Sequence, residues 1–73
     1  MAALPSVSGE QAVRAFQKAG WSEDRQRGSH VILIKPGHLA SLSIPQHREV
    51  APGTLRSSIR ASGMSVTQFV ELL

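Results

Sequence analysis

Apolar positions along this chain change their spacing twice, and the changes mark out its elements. From Ser8 to Gly20 the spacing is helical: Ala12, Phe16 and Ala19 share one face, with Val13 beside them. Ser8 and Gln11 have the separation of a capping box, in which each side chain satisfies a backbone N–H of the other. Glu10 stands four residues before Arg14, the favourable order for a helical ion pair. Gly20 is placed to end the helix in the left-handed conformation, and Trp21 to fold back on its last turn.

The pattern then predicts three short antiparallel strands, over 21–26, 30–35 and 39–44. Pro36-Gly37 reads as a type II turn between the second and third. In the third strand Ala40, Leu42 and Ile44 alternate with Ser41 and Ser43, giving one buried and one wet face. Pro45 closes it, since proline cannot donate to a ladder. The second strand does not alternate: Val31, Ile32, Leu33 and Ile34 are all apolar. Helices over one face would account for half of them. The other half either meets a protein partner or is tolerated in solvent.

Residues 45–51 read as a polar loop. Pro52 suits the first turn of a second helix, where its missing N–H costs nothing. Leu55 and Ile59 mark that helix's buried face, and Gly63 ends it. A second capping box, Ser65 with Gln68, starts a short third helix with Val66, Phe69, Val70 and Leu73 as its apolar stripe. A helix so short must dock to persist. The expectation is one α+β domain over 1–73, a three-stranded antiparallel sheet with helices on one face, and a flexible tail over 1–7.

Composition narrows the chemistry. There is no cysteine among the 73 residues, so neither disulfides nor a thiolate metal site can support the fold. A domain this small buries only about 60% of its unfolded surface, so a compact apolar core, or one completed by a partner, must carry stability. The start of the chain has neither the positive segment nor the apolar segment of a signal peptide, and no apolar run approaches a membrane span. A cytoplasmic protein without membrane contact is expected.

Eight Lys+Arg against five Asp+Glu leave a net charge of +3. The distribution says more than the sum. Between Arg25 and Arg48 lie Arg25, Arg27, Lys35, Arg48 and the histidines His30, His38 and His47, with no carboxylate. Arg56 and Arg60 follow, four apart, a spacing at which like charges repel. Such a patch points to a polyanion, most simply nucleic acid, or serves as a solvated face.

The tripeptide Gly28-Ser29-His30 concentrates the possible chemistry. A tight Gly-Ser turn delivers an imidazole to the start of the apolar strand, beside Arg25 and Arg27. Histidine exchanges protons near neutral pH, and arginines hold phosphate oxygens by forked hydrogen bonds. The bland reading is a half-exposed polar residue at a strand start. His47 reads either as a second proton donor or as a loop residue bonded to the start of the second helix. His38 reads as a turn residue.

Three pieces together resemble the HicA family, the small mRNA-degrading toxins of bacterial toxin–antitoxin pairs. They are Gly20-Trp21 with Arg25-Gln26-Arg27-Gly28-Ser29-His30, then Pro45-Gln46-His47, then Gly53-Thr54-Leu55-Arg56 with Ile59. The likeness spans about residues 13–69. It implies an α-β-β-β-α fold like that of double-stranded-RNA-binding domains, a ribosome-independent endoribonuclease activity on mRNA, His30 as the catalytic residue, and a HicB-type antitoxin in a hetero-oligomer. The expected RNA contacts are Arg25, Arg27, Ser29, Lys35, His47, Arg56 and Arg60. No cofactor or metal is expected, because RNA carries its own 2′-hydroxyl nucleophile and the chain has no carboxylate cluster for a two-metal site. The rival classes are a non-enzymatic double-stranded-RNA-binding module and a protein-interaction domain.

Overall fold

A computed structural model describes residues 3–73. The elements run α1 (Gly9–Lys18), β1 (Ser22–Arg27), β2 (His30–Ile34), β3 (Leu42–Pro45), α2 (Pro52–Ala61) and α3 (Val66–Glu71). The strands form one antiparallel sheet in the order β1-β2-β3, with the helices packed against it. This is the α+β fold that the spacing of apolar positions predicts, and it is of the double-stranded-RNA-binding-domain kind that the family resemblance implies.

Local chemistry sets the helix limits. Both capping boxes form: the Ser8 hydroxyl accepts from Gln11 N and the Gln11 amide oxygen from Ser8 N, and Ser65 with Gln68 does the same. At the end of α1 the Gly20 N–H reaches Gln17 O and the Trp21 N–H reaches Phe16 O, the paired bonds of a Schellman motif, with Gly20 at φ +100°. Those bonds pull Trp21 back onto the helix, where it is buried.

Between the sheet and the helices lies the core. Val31 and Leu33 from β2, Leu42 and Ile44 from β3, Phe16 from α1, Leu55 and Ile59 from α2 and Phe69 from α3 are all buried. The Phe16 and Phe69 rings meet at 5.0 Å between centroids, which is how the short α3 is held. Among the described residues one polar side chain, Ser62, is buried with them; its hydroxyl donates to Ile59 O and accepts from Met64 N, bridging α2 to the turn before α3.

Two expectations need correction. The third strand begins at Leu42, not at 39. Because Leu33 pairs with Leu42, residues 35–41 loop out between the strands, and Leu39 is fully exposed. The Pro36-Gly37 turn does form, with His38 N bonded to Lys35 O and Gly37 at φ +85°, but it sits inside that loop and does not join the strands directly. The tail expected over 1–7 is docked at its end: Val7 is 2% exposed, and its carbonyl accepts from Val50 N at 2.8 Å. Apolar contact at Val7 decides this, a residue too isolated to be read as core from periodicity. Residues 1 and 2 of that tail lie outside the described residues.

Candidate functional site

His30 reaches its place through a two-residue hairpin. Gly28 takes φ +58° while Ser29 stays at negative φ, the pattern of a type II′ turn whose twist suits antiparallel strands. The register then sets Arg27 directly across from His30 and Arg25 across from Ile32. A bulge between Glu23 and Arg25 takes up one residue of β1 further along, so both arginines keep the face shared by His30 and Ile32.

That face is the one the helices leave open. Val31 and Leu33 point inward, so His30, Ile32 and Ile34 point outward by alternation. His30 and Ile32 are half-buried and Ile34 is 45% exposed. On the other side of β2, Pro45 lies across from His30 and Ser43 across from Ile32. Arg27, His30, Ile32 and Ser43 line a shallow depression there. The arrangement can hold an anionic group at Arg27, put an imidazole beside it and offer an apolar floor. Ile32 and Ser43 are site residues that the motif reading passes over; the alternation of β2 and β3, once paired, is the signal that brings them in.

The turn itself is pinned by the residue that follows β3. Gln46 N donates to Ser29 O at 2.6 Å, and the Gln46 side-chain amide donates to Ile44 O. Beyond it, His47 O accepts from Gly9 N, the first residue of α1, at 2.9 Å. Gly9 is buried against this segment: a Cβ there would stand 2.7 Å from Gln46 Cα and closer still to Pro45 O. The packing chain therefore runs from α1 through 45–47 to Ser29 and His30.

The other expected contacts are distributed. His47 is exposed in a separate depression with Ser8, Glu10, Gln46 and Arg48, apart from the one at His30. Its backbone bonds the start of the first helix rather than the second. Ser29 is exposed on the turn beside His30. The Lys35 ammonium donates to Ala19 O at 2.9 Å and closes the C-terminus of α1, a structural task. Arg56 and Arg60 are exposed on α2, in the helical layer. His38 packs on Trp21 with ring centroids 5.0 Å apart, and the Trp21 indole N–H has no partner among the described residues. Arg25 has Asp24 at 3.9 Å, and among the described residues Arg27 makes no ion pair. No three His, Asp or Glu side chains gather as metal ligands among the described residues, and no helix is long and apolar enough to cross a membrane.

No curated protein gives a significant match to the chain. The family model of the HicA toxin of bacterial toxin–antitoxin systems matches residues 9–64, from the first residue of α1 past the end of α2. That span holds the whole sheet, the Gly28-Ser29-His30 hairpin and the segment that pins it, and on it the protein belongs to the HicA toxin family.

Proposed function

We propose that this toxin is a metal-independent endoribonuclease acting on mRNA in the cytoplasm, with His30 as its general acid or base. The observation that carries the reading is the register that sets Arg27 across from His30 above an open depression. In the reaction the 2′-oxygen of one nucleotide attacks the adjoining phosphorus, and the bond to the 5′-oxygen of the next breaks. The attacking hydroxyl gives up its proton and the leaving oxygen gains one. His30 mediates one of these transfers, a contribution of about 10²–10⁴-fold in rate for a well-placed group. Arg27 holds the phosphate from across the strand pair and Arg25 supports it from the next outward position, where charge develops on the non-bridging oxygens. Ser29 and Ile32 border the bound nucleotide. His47 lies in another depression and contributes little to the proton transfers.

Neutralisation falls to a HicB-type antitoxin that covers the open face. Ile32 and Ile34 supply apolar ground and Arg25 and Arg27 the charge, so the partner surface is acidic around an apolar centre. Binding would shield His30 from a histidine-modifying reagent; equal modification in the free and bound toxin counts against this.

Cleavage of a long single-stranded transcript in EDTA, by the parent and by His30→Gln, tests the catalytic reading. Cutting by the parent, loss in the variant and 2′,3′-cyclic phosphate ends are expected. Products with 5′-phosphate ends would refute the mechanism. The fold also supports a second reading, a non-enzymatic duplex-RNA-binding module. It predicts salt-sensitive binding by both proteins and cutting by neither.

A further inference from the structure

The cations of this protein are not equally engaged. Arg14 is paired with Glu10 and Arg25 has Asp24 nearby. Lys18 donates to Leu72 O and Lys35 to Ala19 O. Arg56 and Arg60 make no ion pair or side-chain hydrogen bond among the described residues. No acidic residue occurs between Glu49 and Glu71, so neither α2 nor the body of α3 supplies a counter-charge before α3's last residue. The two arginines lie one helical turn apart on the exposed side of α2 and repel each other. Their neighbours on that side, Gly53 and Ser57, are small and exposed, and a Cβ added at Gly53 would meet nothing within 4 Å. Among the described residues of α2, the side that carries these two arginines holds no large apolar side chain, and the result is a cationic ridge.

The ridge and the His30 depression belong to different layers. Leu55 and Ile59 bury α2 against the inward face of the sheet, where Leu33 and Ile44 lie. His30, Arg25 and Arg27 are on the outward face. The molecule measures 31 × 27 × 18 Å, so a flexible polyanion can reach from one side to the other. A protein interface draws its affinity from buried aromatic or aliphatic anchors, which this ridge lacks. A sugar-phosphate backbone needs only cations at intervals and close approach.

We infer that Arg56 and Arg60 form a second contact for the RNA backbone, separate from the cleavage depression, so that RNA long enough to span both layers is held at two places. The inference rests on RNA being the substrate. Its sign is an affinity that rises with RNA length. Each phosphate contact on a single strand adds about 0.7 to the slope of log affinity against log salt, so the ridge accounts for about 1.4.

The test measures binding of single-stranded RNA of increasing length to the full chain carrying His30→Gln, which keeps the ligand intact. The same measurement follows with Arg56→Gln and Arg60→Gln added. The two-site arrangement predicts that the double substitution removes the gain with length, weakens long RNA by about tenfold at low salt and lowers the salt slope by about 1.4. Arg56→Lys with Arg60→Lys should restore most of both, since a point charge serves a phosphate. A length gain and salt slope that survive the double glutamine substitution would overturn the second contact and leave the ridge to an acidic protein surface or to solvent. If no variant binds RNA in a salt-sensitive way, RNA as the substrate falls, and this inference with it.

Discussion

Gly9→Ala is a one-methyl change 21 positions from His30 in the chain, yet it bears directly on the site. Gly9 opens α1 and is buried where that helix meets the segment after β3. Its φ is not in the left-handed region, so alanine is compatible with the backbone and only space is at issue. The added methyl would stand 2.7 Å from Gln46 Cα and against Pro45 O. Both are backbone atoms and cannot rotate away. Overpacking of this kind costs about 1–3 kcal/mol. If the segment moves outward instead, it strains two hydrogen bonds, Gly9 N to His47 O at 2.9 Å and Gln46 N to Ser29 O at 2.6 Å, each worth about 1 kcal/mol. Alanine's helix propensity returns at most about 1 kcal/mol, so the clash prevails. A net loss of about 2 kcal/mol would lower the melting temperature by roughly 10 °C in a domain this size. The protein would still fold at 25 °C, because small domains hold roughly 0.1 kcal/mol per residue. Thermal melting followed by circular dichroism reads the stability, and backbone amide NMR shifts of Ser29, His30 and Gln46 read the displacement. On the proposed ribonuclease reading, cleavage by the folded variant falls at least tenfold, since a small misplacement of a reacting group is costly. An unchanged melting temperature with all three amides unmoved would refute the reasoning.

Other perturbations probe single links of the same structure. Phe69→Ala removes the ring that holds α3 on Phe16 and should cost about 3–5 kcal/mol, leaving the chain close to unfolded on heating just above room temperature; a melt within a few degrees of the parent would show that α3 is dispensable. Ser62→Ala leaves Met64 N and Ile59 O without their shared partner and should cost about 1–2 kcal/mol by chemical denaturation, whereas an exposed serine such as Ser57 should cost less than about 0.5. Lys35→Met keeps the aliphatic stem and loses the bond to Ala19 O, so it should destabilise by about 1 kcal/mol; a loss of RNA binding with no loss of stability would instead make Lys35 a substrate contact.

By itself the sequence determined every element whose signal is local. The two capping boxes, the glycine endings of α1 and α2 and the Gly-Ser hairpin are set within a few neighbouring residues, and each forms where the residues place it. The Gly28-Ser29-His30 motif and its arginines were legible for the same reason, since a two-residue turn fixes which residues face each other. What lay at long range was decided only by the tertiary structure. The pairing of Leu33 with Leu42 cut three residues from the start of β3, although 40–44 alternate as a strand should. Burial of Val7 against the core docked a segment without periodicity. Packing on Gly9 set the path of 45–47 and took the His47 side chain away from His30. The choice of layer separated Arg56 and Arg60 from Arg25 and Arg27, which the sequence shows as one basic run. Periodicity reports which face of an element is apolar; only the packing of one element on another fixes what lies across from it.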